Sequence, residues 1–296
     1  MQIVDETPPD AAEEAILRAQ LRAGGLRPKK SWGQNFCRDG ALLRRMAALP
    51  QLPPGQGVVE LGAGLGALTQ ALLAQGGPVL AVERDRELIP LLRARFADVP
   101  GLTLCEADAV GLDYAALAAA QGGPLTIVGN LPYQLSSRIL VTLADAGAAV
   151  AQVVVLLQRE VGERLAAGPG SRTYGLLSVL VQRRFSVRLV ERVRPGAFVP
   201  PPRVESVVVH LRARPPVAEG VADAQLVAAA RAAFSSRRKT LRNALASGCR
   251  IPAAAAAAAI ERASLVPGAR AETLSLTDFA QLGAALAGAD LLPTHP

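Results

Sequence analysis

Between Gly57 and Gln158 short apolar runs alternate with stretches of helical spacing. The runs are Val58–Leu61, Val79–Val82, Leu102–Leu104, Leu125–Val128 and Val153–Leu157, and they read as buried strands. Between them, the apolar positions of Leu68–Leu73, Glu87–Phe96 and Ser136–Ala144 fall on one helical face. This strand–helix rhythm predicts an α/β architecture: a parallel sheet covered by helices on both faces.

Other patterns flank the sheet. Residues 1–9 are polar, with two prolines, and read as a tail. Asp10 and Glu13 form a capping-box signature for a helix to about Ala23, with Ile16, Leu17 and Leu21 as its apolar stripe. Pro28–Cys37 reads as a surface loop with a basic start, and Asp39 as the cap of a helix over Gly40–Ala48. After the sheet come a charged helical turn, Gln158–Arg164, and a flexible loop over Gly168–Gly175. Leu176–Arg183 reads as a helix, Phe185–Val193 and Val204–Leu211 as strands. The rigid Pro195–Arg203 connection between those strands either holds Phe198 over the sheet edge or tucks its ring into the core. Arg212–Gly220 has the composition of a linker. Beyond it only helical patterns occur: Asp223–Phe234, Pro252–Ala263, and a helix capped by Ser275 and Asp278 that runs to Ala287. The expected organisation is a tail and helix over 1–25, a sheet domain over 26–214 and a small all-α domain over 215–296.

The chemistry-bearing residues fall at strand ends. In open parallel sheets, ligands bind at the carboxyl ends of the strands, near the switch in strand order. Gly62–Gly66, Glu83, Asp108 and Asn130 end four successive strands. Gly62 permits a sharp turn, and Gly64 lets a ligand approach the backbone. The spacing is GxGxG, neither the dinucleotide fingerprint nor a phosphate loop with its Lys-Ser/Thr. Glu83, an acid at the end of the next strand, suits the hydroxyls of a ribose. An adenosine-type cofactor without pyrophosphate fits these features better than NAD, and S-adenosylmethionine is that cofactor. Gly129-Asn130-Leu131-Pro132-Tyr133 brings an amide and an aromatic face to one strand end, a combination suited to a planar, amino-bearing ring such as adenine. The plainer reading is a turn in which Asn130 bonds its own backbone and Tyr133 packs.

Charge and composition narrow the class. The 296 residues carry a net charge of +7, which favours a polyanionic partner. Arginine supplies nearly all of it, since Lys29, Lys30 and Lys239 are the only lysines, and that bias can mirror genome composition. Ser235–Arg242 concentrates positive charge, either as a solvated helix face or for phosphate contact. Cys37, Cys105 and Cys249 have no metal-ligand spacing, and His210 and His295 are too far apart for a zinc pair. No metal site is expected. No apolar run reaches membrane-span length and the N-terminus is acidic, so a soluble, cytoplasmic protein is expected.

These stretches together resemble the KsgA/RsmA family of 16S rRNA adenine N6,N6-dimethyltransferases. The matching blocks are Lys30–Phe36, Val59–Thr69, Val82–Asp85, Asp108-Ala109, Gly129–Tyr133, Leu157–Val161, Tyr174–Ser178, Phe198–Ser206, Phe234 with Arg237–Asn243, and Arg270–Glu272, in family order. Departures are Cys37 for the usual leucine, Ala63 for a common proline, and Gln134–Arg138. The resemblance implies a Rossmann-like class I methyltransferase sheet and a helical C-terminal domain. It implies transfer of methyl groups from S-adenosylmethionine to two adjacent adenines in a 3′-terminal hairpin loop of 16S rRNA, in the small (30S) subunit, by a monomer. Residue by residue, it implies that Asn35 and Cys37 close over the cofactor, with Gly62 near its amino-acid portion and Gly64 also in contact with it. Glu83 then holds the ribose, Asp108 reads the adenine amino group, and Asn130 bridges cofactor and substrate. Asn130 and the Leu131 carbonyl would accept the hydrogens of N6, in the turn shaped by Pro132, while Tyr133 and Phe198 stack on the base. Lys29, Lys30, Arg237, Arg238 and Lys239 would contact RNA. Two alternatives stand beside this: a 23S rRNA methylase of the erythromycin-resistance type, and a non-catalytic assembly factor. Arg237–Asn243 and Arg270–Glu272 favour the small-subunit enzyme.

Overall fold

The computed structural model describes residues 19, 25, 28, 29, 33–236 and 238–292. The helix expected from Asp10, apart from Ala19, therefore lies outside the described residues, as do Lys30 and Arg237. The chain divides into two compact units. One comprises the described residues up to Gly162 together with Arg188–Arg212; the other comprises Glu163–Val187 and the described residues from Ala213 onward. Glu163–Val187, which the sequence pattern places with the sheet, thus clusters with the C-terminal helices.

The first unit is built on a mixed sheet with helices on both sides. The strands of this sheet are β2 (Val58–Leu61), β3 (Val79–Glu83), β4 (Leu102–Glu106), β5 (Leu125–Asn130), β6 (Val150–Gln158), β7 (Phe185–Val193, in the first unit from Arg188) and β9 (Ser206–Ala213, in the first unit to Arg212). A separate pair is made by β1 (Phe36–Cys37) and β8 (Phe198–Val199). The order across the seven-stranded sheet is β4-β3-β2-β5-β6-β9-β7. β2 to β6 are parallel to their neighbours, and β9 returns antiparallel against β6 from Gln152↔Arg212 to Gln158↔Ser206. The central strands are buried on both faces, as parallel strands under helices must be, and Val153–Leu157 have no exposed surface. At the edge, β4 is only partly covered.

The helices of this part of the chain are α1 (Gly40–Ala48), α2 (Ala67–Leu73), α3 (Ile89–Arg95), α4 (Tyr114–Ala120), α5 (Ser136–Asp145) and α6 (Arg159–Ala166). Asp39 caps α1 as expected, accepting from Leu42 N. The spacing gives no sign of α4, a run of seven residues started by Asp113, whose side chain accepts from Ala116 N at 2.9 Å. The chain goes from β2 outward to β3 and β4, then returns to place β5 on the other side of β2. The carboxyl ends of β2 and β5 therefore flank the switch in strand order, where no crossover covers them.

In the second unit, α7 (Leu176–Gln182), α8 (Asp223–Ala233), α9 (Leu241–Gly248), α10 (Ala253–Arg262) and α11 (Leu276–Ala287) enclose a core of alanines with Leu226, Leu245, Ile260, Phe279 and Leu286. Ser275 and Asp278 form the expected capping box at the start of α11. The stretch read as a flexible loop is anchored: Tyr174 is buried and its hydroxyl donates to the Leu274 carbonyl at 3.0 Å, while Gly170 N donates to Glu272 O at 2.7 Å. Among the described residues no helix is long and apolar enough to cross a membrane.

The turn into α2 tests how tightly the sheet edge is packed. Gly66 has φ +85°, and a Cβ there would lie 2.4 Å from Phe96 Cε2; Gly76 has the same φ but open space around it. Gly66→Ala should cost about 1–3 kcal/mol of unfolding free energy in urea titration, and Gly76→Ala clearly less. Equal losses would assign the effect to backbone conformation alone.

Candidate functional site

A cavity of about 270 Å³ opens over the carboxyl ends of β2, β3 and β5. Asn35, Cys37, Gly62, Gly64, Glu83, Asp108, Asn130, Leu131, Pro132 and Tyr133 all line it. So the strand-end residues, scattered over nearly a hundred positions of sequence from Asn35 to Tyr133, converge on one hollow.

The glycine turn forms the floor. Gly62 N and Ala63 N both donate to Val82 O, at 2.9 and 3.2 Å, which ties the turn to β3. Gly64 has φ +60°, and a Cβ on it would meet the Phe36 ring at 3.3 Å. Phe36, Leu65 and Leu88 pack together and give the cavity an apolar wall.

Glu83 ends β3 with a carboxylate that is almost buried. Its Oε2 accepts from Gly64 N at 2.8 Å, and its Oε1 accepts from Arg84 N at 2.8 Å and Asp85 N at 2.7 Å. Burial raises its pKa, and these amides oppose that rise. A carboxylate has about four acceptor positions. One hydroxyl can therefore join Oε2 without disturbance, and a second displaces a backbone donor. Asp108 is exposed; it accepts from Val110 N at 3.0 Å and pairs with Arg84 at 3.1 Å.

On the opposite lip, Asn130 Nδ2 donates to the Asn35 carbonyl at 3.1 Å. Because that partner can only accept, the bond fixes which end of the amide is nitrogen. Leu131 N donates to Leu156 O at 3.0 Å, and Pro132 O accepts from Leu135 N and Ser136 N at 3.0 Å each, so the turn is held by its neighbours. Tyr133 shares a 2.7 Å hydrogen bond with Ser206 Oγ, and burial raises its phenol pKa. Ser206, on β9, gave no sign of this role in the sequence.

Two of the expected site residues stand apart from the cavity lining. Phe198 is 2% exposed and does not line the cavity: β8 pairs with β1, Cys37 opposite Phe198, and the ring packs into the main core. Lys29, partly exposed, pairs its ammonium with Asp85 Oδ1 at 2.8 Å and with the exposed Glu87 Oε2 at 3.1 Å. Arg238 and Lys239 are exposed, in the turn before α9. The first amides of α9 are taken by Ala269 O and Pro267 O, so any phosphate contact there belongs to the side chains. Among the described residues no cluster of His, Cys, Asp and Glu is arranged to hold a metal. His210 lies on β9, bonded to Gln152 Oε1 at 3.0 Å, and is no part of the cavity.

Comparison with known proteins decides the family. The model of ribosomal RNA adenine dimethylases matches residues 25–287. The chain belongs to that family. A protein of Anaeromyxobacter dehalogenans named ribosomal RNA small subunit methyltransferase A is 51% identical over 278 residues, 91% of this chain and 97% of the relative. A protein of the same name from Magnetococcus marinus is 43% identical over 267 residues, 90% of this chain and 94% of the relative. Among solved structures, the 23S rRNA methyltransferase ErmE superposes with a TM-score of 0.63 at 25% identity, covering 86% of this chain and all of its own. A dimethyladenosine transferase from Plasmodium falciparum superposes with a TM-score of 0.71 at 22% identity, over 87% of this chain and 99% of its own, and shows the shared fold. The sheet of this dimethylase is thus the Rossmann-like sheet of methyltransferases.

Beneath the glycine turn the dimethylase buries a second carboxyl group. Glu60, on β2, has no exposed surface; its Oε2 accepts from Thr69 Oγ1 at 2.6 Å, and Oε1 has no hydrogen-bond partner. Burial, with the nearby Glu83 charge, pushes its pKa up from 4.5 to about 8 against the opposing pull of Thr69 and Arg95. The folded state therefore favours the protonated acid, so this group's contribution to stability is complete below about 4.5 and is lost as pH rises through about 8. Glu60→Gln should remove that slope: in urea titrations the variant gains on the wild type between about pH 5 and about pH 8. Parallel profiles would show that Glu60 is ionised throughout.

Proposed function

We propose that this chain transfers methyl groups from S-adenosylmethionine to N6 of two adjacent adenines in a 3′-terminal hairpin loop of 16S rRNA, in the small (30S) ribosomal subunit. The observation that carries the reading is the committed amide of Asn130. Its nitrogen is engaged by the Asn35 carbonyl, so its oxygen is left to accept from an incoming amino group. The cavity fits the cofactor: glycine backbone at its floor, an apolar wall against which a purine can lie, and Glu83 and Asp108 for ribose and adenine. Asn35, Cys37, Gly62 and Gly64 would complete its binding.

S-adenosylmethionine supplies a methyl group on a positively charged sulfur, which leaves without acid assistance. The difficulty lies with the acceptor, since the lone pair of the adenine amine is delocalised into the ring. Asn130 Oδ1 and the Leu131 carbonyl, accepting its two hydrogens, favour a pyramidal nitrogen with the lone pair free to attack. Orientation of this kind is a large source of rate. Tyr133, its hydroxyl tethered to Ser206, offers its face to the base; stacking of this type is worth about 1–3 kcal/mol per base. Phe198, buried against β1, is not assigned a stacking role. The target base has to leave its stack, or lie already in a loop, to enter. Relatives at 43–51% identity are named for the small subunit, which supports it over the large subunit as substrate.

Unmodified small subunits incubated with protein and labelled cofactor should be methylated at two adjacent adenines near the 3′ end of 16S rRNA, as read by mapping the modified bases. Asn130→Ala should fold, still bind small subunits and lose at least a hundredfold in rate, since it positions the amine for transfer. Methylation at the wild-type rate would remove Asn130 from the mechanism.

Arg238 and Lys239 are proposed to contact RNA phosphate. The double alanine variant should bind small subunits more weakly and lower the slope of log affinity against log salt by about one per lost contact. An unchanged slope would return both to solvated surface.

A further inference from the structure

Gln34 and Asp85 are given no role above, and with Lys29 they form one closed hydrogen-bonded unit. Asp85 is 2% exposed. Its Oδ1 accepts from Lys29 Nζ at 2.8 Å and from Glu87 N at 3.2 Å, and its Oδ2 accepts from Gln34 Nε2 at 2.8 Å. Gln34 Oε1 in turn accepts from Lys29 N at 2.8 Å. Burial pushes the Asp85 carboxyl up, and the hydrogen bonds of Lys29 and Gln34 outweigh it, so the group stays below the usual aspartate range. A buried carboxylate held in this way defines a fixed point in the backbone.

That fixed point sits between the two halves of the site. On one side, Asp85 N donates to Glu83 Oε1 at 2.7 Å. On the other, Gln34 precedes Asn35, whose carbonyl receives the Asn130 amide, and Phe36 and Cys37 then pair with β8. Asn35 is therefore pinned from both sides: by the Asp85 unit before it and by the β1–β8 pair after it. We infer that Lys29, Gln34 and Asp85 act as positioning residues for Asn130, holding the Asn35 carbonyl where it orients the carboxamide. They set the rate of methyl transfer without touching the base.

This inference rests on the proposed role of Asn130, and its test separates the two. Lys29→Met and Gln34→Leu each break the unit while leaving the backbone donors of Glu83 in place. Each should lower kcat on small subunits about tenfold to a hundredfold at saturating cofactor, with the protein still folded at the assay temperature. In an Asn130→Ala background, where the carboxamide is already gone, neither should lower the residual rate further, because a residue acting through another shows no additional effect once that other is removed. A readout without catalysis is the side-chain amide signal of Asn130 in a 15N NMR spectrum, assigned by its absence from Asn130→Ala. Both variants should broaden or shift that signal. The inference is overturned if the signal is unmoved, if kcat holds at the wild-type value, or if the rate loss disappears at saturating cofactor. A wild-type protein that fails to methylate the subunit would sink the proposed function, whereas an unmoved Asn130 signal would sink only the positioning unit.

Discussion

The site depends on what one carboxylate does with its backbone neighbours. Glu83 takes up the Gly64 amide from the turn after β2 and two amides from the turn after β3, so the loops at two strand ends share one acceptor. Hydrogen bonds to a charged group contribute about 1.5–3 kcal/mol each, against a desolvation cost that raises the pKa of the acid. Glycine at position 64 is part of the same arrangement. Its φ of +60° aims an amide that an L-residue would aim only under strain, and a Cβ there would crowd the Phe36 ring. The floor of the cavity, its apolar wall and its acidic edge are therefore one mechanical unit.

Burial of Glu60 directly below belongs to the same balance. Two ionised carboxylates this close would repel in a medium that screens poorly, and the inner one has a single hydrogen-bond donor. Burial favours the protonated form of Glu60, while Glu83 is engaged by amides.

Much of this was legible in the sequence because the information was local. Apolar runs flanked by glycine or acid give strand ends, and parallel strands under helices place their carboxyl ends together, so Gly62, Glu83, Asp108 and Asn130 could be gathered before any coordinates. What escaped was non-local. The β1–β8 pair is two residues long on each side and joins Phe36 to Val199; neither segment has a period to detect, and only the pairing turns a basic loop into buried strand and Phe198 into core. The pairing of Lys29 depends on a distant partner in the same way. A cation near the start of a polar loop looks solvated until an aspartate 56 positions later is folded against it. Tyr174 stood in a glycine-rich stretch whose anchor, the Leu274 carbonyl, is 100 residues away. Helix α4 had a cap in Asp113, but its alanines carry no stripe to reveal it.

The departures from the family pattern carry physical consequences of their own. Where proline is common, this chain has Ala63, and its amide donates to Val82 O beside the bond from Gly62. A proline has no such donor, so the exchange trades a fixed φ for a second tie between the glycine turn and β3. That tie holds the turn from below while Glu83 holds it from above, so stiffness lost at the backbone dihedral is recovered through hydrogen bonding. Cys37 in place of leucine is smaller, yet it remains buried, opposite Phe198 in the short pair, with its thiol 3.9 Å from Asp39 O. The smaller side chain leaves the backbone pairing of β1 intact. The bulk of residue 37 is therefore not what holds β1 against β8.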